Sequence, residues 1–319
     1  LLAARGLTKD VVLRRAGRRR DAAVVSAVAG VDLRLDRGAS LGVVGPTGCG
    51  KTTLARLLVH LEVPTAGEVR FDGCELGSLS GAALRRLRRR MQVVFQDPYD
   101  AMNPRLEVAE LLAEPLRVQG LDDGGGSLVR RAMVRVGLDD RWGVRRPRDL
   151  PIEVAQRVAL ARAMVLGPEL LVMDEFLAVL DDGGRDELVG VIARVAQDSG
   201  LSIVAFAHHP DALPRVDHLA IMYLGTLVEV GPPGRLRRRP AHPCTAELMG
   251  SGRGSSSAEL PSPVDPPSGC RARTRCSRAD DRCAVEVPAL RPIGPEHQVA
   301  CHHPLSAPAG ASAGSASDG

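Results

Sequence analysis

Residues 45–53 read GPTGCGKTT, a Gly-x4-Gly-Lys-Thr phosphate loop. Its chemistry is the binding of a polyphosphate. Glycines let backbone N–H groups turn toward the anion with no Cβ in the way. A helix that follows aims its positive end at the same charge. Lys51 suits the β- and γ-phosphates of a nucleotide, and Thr52 suits Mg2+. Gly45, Thr47, Gly48, Cys49, Gly50, Lys51, Thr52 and Thr53 are therefore the candidate nucleotide-binding residues. Far downstream, LLVMDE (170–175) carries two carboxylates off an apolar run. Asp174 is suited to hold Mg2+ and Glu175 to polarise an attacking water. Alone, the acidic pair reads equally as an exposed turn after a strand; with the phosphate loop upstream, the two point to one site.

These residues need a strand before the loop and a helix after it. LGVV (41–44) reads as a buried strand and LARLLVHL (54–61) as the helix. LLVM (170–173) and SIVAFA (202–207) read as further core strands, with ELVGVIARVAQ (187–197) as the amphipathic helix between them. The alternation predicts an α/β fold with a mostly parallel sheet over residues 1–250. Such sheets bind ligands at the carboxyl ends of their strands. Residues 100–165 are more helical and are punctuated by DDGGGS (122–127). A Ser/Pro/Gly-rich linker spans 251–269, a short Cys-bearing module spans 270–304, and 305–319 reads as a disordered low-complexity tail.

A net charge of +4 is too mild to argue for nucleic acid. The arginine clusters at 18–20, 85–90, 145–148 and 237–239 read as solvated surface. No apolar run reaches the ~18 residues of a spanning helix. The first residues lack the apolar core of a signal peptide, and the chain begins without Met, as a processed or partial chain would. Seven cysteines, an odd count, favour a reducing compartment and thiol or metal chemistry over disulfides. Cys270, Cys276, Cys283 and Cys301 are spaced C-x5-C-x6-C-x17-C. Four thiolates satisfy a zinc ion or an iron–sulfur cluster, or they pack a small module without metal. His302 and His303 are alternate ligands, and Cys74 reads as structural.

Taken in order, the phosphate loop, VFQDP (94–98), LLVMDE, AVLD (178–181) and His208 resemble the ATP-binding subunits of ABC transporters, over most of the chain. The resemblance implies a P-loop ABC ATPase core: a mostly parallel sheet, an N-terminal antiparallel β region, and a helical subdomain at about 97–165. It implies ATP and Mg2+ as ligands. By it, Gln96 senses Mg2+ and faces the membrane subunits, Asp181 crosses to a partner subunit, and His208 contacts the γ-phosphate. QDPYDAMNPR (96–105), IMYLGTLVEVGPP (221–233) and RPAHPCTAELMGS (239–251), with Cys244 where a Tyr is usual, are similar to the oligopeptide/dipeptide (peptide/nickel) importer group. The module at 269–304 resembles the C-terminal extension of that group. This likeness puts a 4Fe–4S cluster first and Zn2+ second. It also implies two membrane permease subunits, an extracytoplasmic solute-binding protein, a second ABC ATPase subunit, no nucleic acid, and a site of action at the cytoplasmic face of the cell membrane.

Where such ATPases read LSGGQ, this chain reads LPIEV (150–154), inside a retained frame from Gln156 to Ala163. Pro151 has no N–H to donate, Ile152 brings a branched side chain, and Glu153 brings negative charge toward a polyphosphate. At ~4 Å and a surface-like dielectric that repulsion is a few kcal/mol. In this family one subunit's signature caps the nucleotide on its partner's phosphate loop. The sequence therefore implies a heterodimer with one active composite site; a homodimer would carry two weak ones. Phe176 and Leu177 replace Pro-Thr, Ala207 replaces Thr, and Val11 stands where an aromatic stacks on adenine. His209 stands where Asp is usual. A degenerate regulatory or assembly subunit is the alternative. A soluble ABC protein of DNA repair or translation ranks last, since neither coiled-coil insertion nor tandem domain is present.

Overall fold

Alternation of apolar and polar residues makes the first strands one-faced: Leu2, Ala4 and Leu7 are buried while Arg5 is exposed. The computed structural model describes residues 1–14, 22–121, 126–250 and 261–305. The Arg18–Arg20 run, residues 122–125, linker residues 251–260 and tail residues 306–319 lie outside the described residues. Strands β1 (Leu2–Arg14) and β2 (Ala22–Leu35) lead to β3 (Ser40–Val44), and helix α1 (Lys51–Leu58) follows the phosphate loop. Next come β4 (Ala66–Phe71), β5 (Cys74–Glu75), α2 (Gly81–Arg88) and β6 (Met91–Val94). Three helices, α3 (Val108–Val118), α4 (Ser127–Arg135) and α5 (Ile152–Met164), precede β7 (Leu170–Asp174). The chain continues through α6 (Asp182–Ser199), β8 (Ser202–Ala207), β9 (His218–Tyr223) and β10 (Thr226–Gly231). It ends with α7 (Pro233–Arg238), α8 (Pro243–Gly250), α9 (Asp281–Val285), β11 (Arg291–Gly294) and β12 (His297–Val299).

One sheet is antiparallel, in the order β2-β1-β4-β5. The other has eight strands in the order β11-β12-β10-β9-β3-β8-β7-β6. Its members β9, β3, β8, β7 and β6 are parallel. Strands β7 and β8 are buried at every residue, as parallel strands covered on both faces must be. The expected fold class is what the chain adopts. Helix α1 and the apolar faces of both sheets share one core cluster that includes Leu54, Leu57, Val43, Val69 and Phe71. Helices α3, α4 and α5 form a second with β7 and α6. Arg37, Arg90, Asp72 and Glu169 tie the strand entrances of the two sheets together.

Helix α1 starts at Lys51, earlier than its apolar stripe suggests, and ends before His60, whose φ of 55° breaks it. Helix α6 likewise starts early, because the Asp181 carboxylate accepts the Gly184 N–H and caps a polar first turn. The Cys module adds β11 and β12 to the main sheet: Glu229 and Val230 of β10 pair with Val299 and Gln298. Leu305 donates its N–H to Ala241. Among the described residues no helix is long and apolar enough to cross a membrane.

Candidate nucleotide-binding and active site

The loop between β3 and α1 is shaped by close backbone contacts. A methyl group at Gly45 would lie 2.2 Å from the Met222 carbonyl oxygen, and one at Gly50 (φ 108°) 2.1 Å from that of Ala27. Neither position admits a side chain. Lys51 follows in the first turn of α1 and its side chain is 3% exposed. Its Nζ donates to the carbonyl oxygens of Gly45 (2.8 Å) and Pro46 (3.1 Å). The ammonium thus sits inside the loop meant to enclose phosphate.

Strand β7 brings its carboxylates to the same point. Thr52 Oγ1 donates to Asp174 Oδ1 at 3.2 Å. Burial, with the neighbouring Glu175 charge, raises the Asp174 pKa against the Thr52 hydrogen bond. A buried carboxylate beside a hydroxyl is an oxygen-donor pair suited to a hard cation such as Mg2+. Glu175 has a positive φ of 51°, a sparsely populated conformation for a non-glycine residue. Its N–H donates to Phe206. Its carboxylate bridges Lys51 Nζ at 3.3 Å and His208 Nε2 at 2.7 Å. Burial pushes its pKa up, but the His208 hydrogen bond and the Lys51 charge outweigh that and leave it lowered. His208 Nδ1 faces Lys51 Nζ at 3.3 Å, so that nitrogen accepts and Nε2 carries the proton.

A cleft of about 500 Å³ collects Thr47, Gly48, Cys49, Gly50, Lys51, Thr52 and Thr53 with Gln96, Glu175 and His208. Asp181 is not among its lining; it is exposed at the start of α6. The altered signature begins α5, with Pro151 at its N-cap and Glu153 in its first turn. That acid already complements the helix's positive end. The helix is braced from the glutamine loop by two bonds that sequence reading missed: Tyr99 Oη to Leu150 O (2.9 Å) and Gln156 Nε2 to Gln96 O (3.2 Å). His209, given no role from sequence, accepts the Asp211 N–H at Nδ1 and joins Leu248 O through Nε2. Pro263 and Arg271 of the C-terminal segment also line the cleft. No motif announced them.

Cys270, Cys283 and Cys301 are buried and Cys276 is half-buried. Burial raises the pKa of the first three, and each is raised further by neighbouring thiols of the set. Three buried thiols that resist ionising, with Cys276 beside them, are donors of the type a cationic centre binds as thiolates. Zn–S bonds of 2.3 Å hold zinc thiolates within about 4 Å of one another. Among the described residues, the group whose donor atoms lie within 4.8 Å of one another is Asp280, Cys283 and His303.

The layout of two sheets, a helical subdomain and this carboxyl-edge site is that of an ATP-binding cassette. A dimeric cassette in a post-hydrolysis state bound to ADP and Pi matches with a TM-score of 0.63 at 20% identity, over 73% of this chain and 98% of that one. A part of an ABC transporter complex from Clostridium perfringens matches with a TM-score of 0.63 at 23% identity, over 74% of this chain and 89% of its own. The ABC transporter profile matches residues 28–178. A protein of Sinorhizobium fredii described as a peptide ABC transporter ATP-binding protein is 36% identical over 98% of this chain and 91% of its own length. A di/tripeptide transport ATP-binding protein of Pseudomonas aeruginosa is 37% identical over 95% of this chain and 97% of its own. The chain belongs to the ABC transporter family, as one of its ATP-binding proteins.

Proposed function

We propose that this chain is the ATP-hydrolysing subunit of a peptide-type importer at the cytoplasmic face of the cell membrane. It pairs with a second, different ATPase subunit and serves two permease subunits and an extracytoplasmic solute-binding protein. The names of its relatives support the peptide class. One observation carries the reading of unequal sites. Lys51, Asp174, Glu175 and His208 are assembled within reach of one another, whereas the start of α5, the part that caps a partner's nucleotide in this family, carries Pro151 and Glu153.

Lys51 leaves the Gly45 and Pro46 carbonyls to bind the β- and γ-phosphates. Mg2+ when bound neutralises phosphate charge, with Thr52, Asp174 and Gln96 as its side of the protein. Glu175 orients the attacking water and His208 donates Nε2–H to the γ-phosphate. Asp181, on the exposed start of α6, meets the partner subunit. Cys270, Cys276, Cys283 and Cys301 are the residues that would hold a 4Fe–4S cluster; their sulfurs do not all lie within 4.8 Å of one another, so Zn2+ stays second. Iron, sulfide and zinc content of the purified chain, against Cys276→Ser, tests that assignment.

The test of function is phosphate release by this chain alone and mixed with the partner ATPase. Activity that arises only in the mixture and vanishes when Lys51→Ala is made in this chain supports one working site. Activity that survives that substitution sinks it. ATP binding without turnover in either sample supports the regulatory reading.

A further inference from the structure

The nucleotide cleft has a second wall, made by residues the family motifs do not include. Val25, Ser26 and Ala27 of β2, Leu224 and Gly225 of the β9–β10 turn, and Pro263 and Arg271 line it. The Lys51 end is built for phosphate. This wall has no phosphate chemistry apart from Arg271, and small or aliphatic side chains dominate it. Among the described residues no Phe, Tyr or Trp lines the cleft, although a purine face needs a flat partner.

Arg271 supplies one. A guanidinium is planar, permanently charged, and stacks on aromatic faces. An N–H of Arg271 donates to the Leu224 carbonyl oxygen. A methyl at Gly225 would lie 3.1 Å from Arg271 Nη1 and 3.0 Å from the carbonyl oxygens of Ser26 and Ala27. The guanidinium therefore lies against β2 beside the cleft. Asp10, the residue before Val11, is the acid whose charge it feels. Gly225 in turn donates its N–H to Cys49 O at 2.7 Å, so the turn that holds Arg271 also buttresses the phosphate loop.

We infer that Arg271 is a nucleotide-binding residue whose guanidinium stacks on the base of ATP, the task Val11 is too small to perform. This rests on the chain's binding ATP. It also gives the cysteine module a direct hand in the nucleotide site, since Arg271 follows Cys270, whose N–H is fixed on Cys283 O at 2.8 Å.

The test is calorimetric titration of the full chain with ATP and, separately, with inorganic tripolyphosphate. Arg271→Ala weakens ATP binding about tenfold and leaves tripolyphosphate binding unchanged. Arg271→Lys keeps the charge and a donor for Leu224 O but loses the plane, and it binds ATP at least threefold more weakly than the parent chain. Thermal melts identify any variant that fails to fold; the lysine variant then decides alone. ATP affinity within twofold of the parent in a folded variant overturns the inference. So does an equal loss for tripolyphosphate, which would assign Arg271 to the phosphates. Failure of the parent chain to bind ATP would instead remove the reading on which the inference rests.

Discussion

Glu175 and His208 are bonded to each other, Oε2 to Nε2 at 2.7 Å. The two groups to which we assign the water and the γ-phosphate thus satisfy one another. Lys51, 3.3 Å from Glu175 Oε1, completes the closed set. In the mechanism we propose, a triphosphate competes for Lys51 and for the His208 proton, and that exchange frees Glu175 to orient water.

The first prediction tests this division of labour. Glu175→Gln keeps shape and a hydrogen-bond partner for His208 but removes the negative charge. ATP turnover by the assembled complex falls by about 10²- to 10⁴-fold, while ATP affinity holds within a few-fold. Paired phosphate-release and binding assays check it; a parallel loss of affinity would assign Glu175 to binding instead.

Asp174 gives the opposite sign in a stability measurement. Burial raises its folded-state pKa, so the ionised form is disfavoured by folding. That penalty is absent below the ordinary Asp value of about 3.9 and grows as pH rises through the folded value. Asp174→Asn should therefore stabilise the nucleotide-free chain at pH 7, by about 1 kcal/mol or a melting shift of ~2–4 °C. The gain shrinks as pH falls toward the ordinary Asp value. Mg·ATP should raise the parent's melting temperature and that of the variant much less. Scanning calorimetry at several pH values reads both.

The parts of this site written in local sequence are those set by short-range geometry. Gly45 to Thr53 must follow a strand, and Asp174 and Glu175 must end one, so apolar runs located them. Their mutual contacts follow from β3, β8 and β7 being adjacent. Arg271 was invisible for the converse reason. It lies in a Cys-rich stretch without helical or strand periodicity and is held at the cleft by its hydrogen bond to the Leu224 carbonyl oxygen. Tyr99 and Gln156 act through one hydrogen bond each, and no spacing rule encodes them. The polar first turn of α6 escaped the reading because its stabilisation is a cap at Asp181 rather than an apolar stripe.

The signature yields a gain-of-function prediction. Helix α5 is held by Tyr99 on Leu150 O and by Gln156 on Gln96 O, both outside the altered residues. Rebuilding LPIEV as LSGGQ (P151S, I152G, E153G, V154Q) therefore leaves the helix seated. Two glycines in its first turn cost about 1 kcal/mol each at most. Removing the Glu153 charge and restoring an N–H at residue 151 should raise ATPase activity of the chain alone at least tenfold. Unchanged activity, with the fold retained, would mean the signature is not what limits it.

The C-terminal module is latched to the main sheet by one buried acid. Glu229 of β10 is 0% exposed and accepts the N–H groups of Ala241 and His242, each at 2.8 Å, and meets His297 Nε2 at 2.7 Å. Glu229→Ala leaves these donors buried without a partner. Such a loss costs about 3 kcal/mol or more. Denaturant unfolding should show it, and limited proteolysis should release the segment after residue 250 first.

His242 makes the same latch sensitive to acid. Burial pushes its pKa down to about 4, and it is 1% exposed. The folded chain therefore keeps the ring neutral where the unfolded chain, at about 6.5, takes up a proton. The unfolded state binds more protons between these values, so stability is full above pH 6.5 and falls as pH drops toward 4. The loss is on the order of 3 kcal/mol over that window. Neutral His242 Nδ1 accepts the Cys244 N–H at 3.0 Å, and a protonated ring cannot. His242→Asn retains an acceptor without a titrating group, so it should flatten the fall between pH 6.5 and 4. Urea midpoints across that range, for parent and variant, are the measurement. An equal slope in both would place the acid sensitivity in another group.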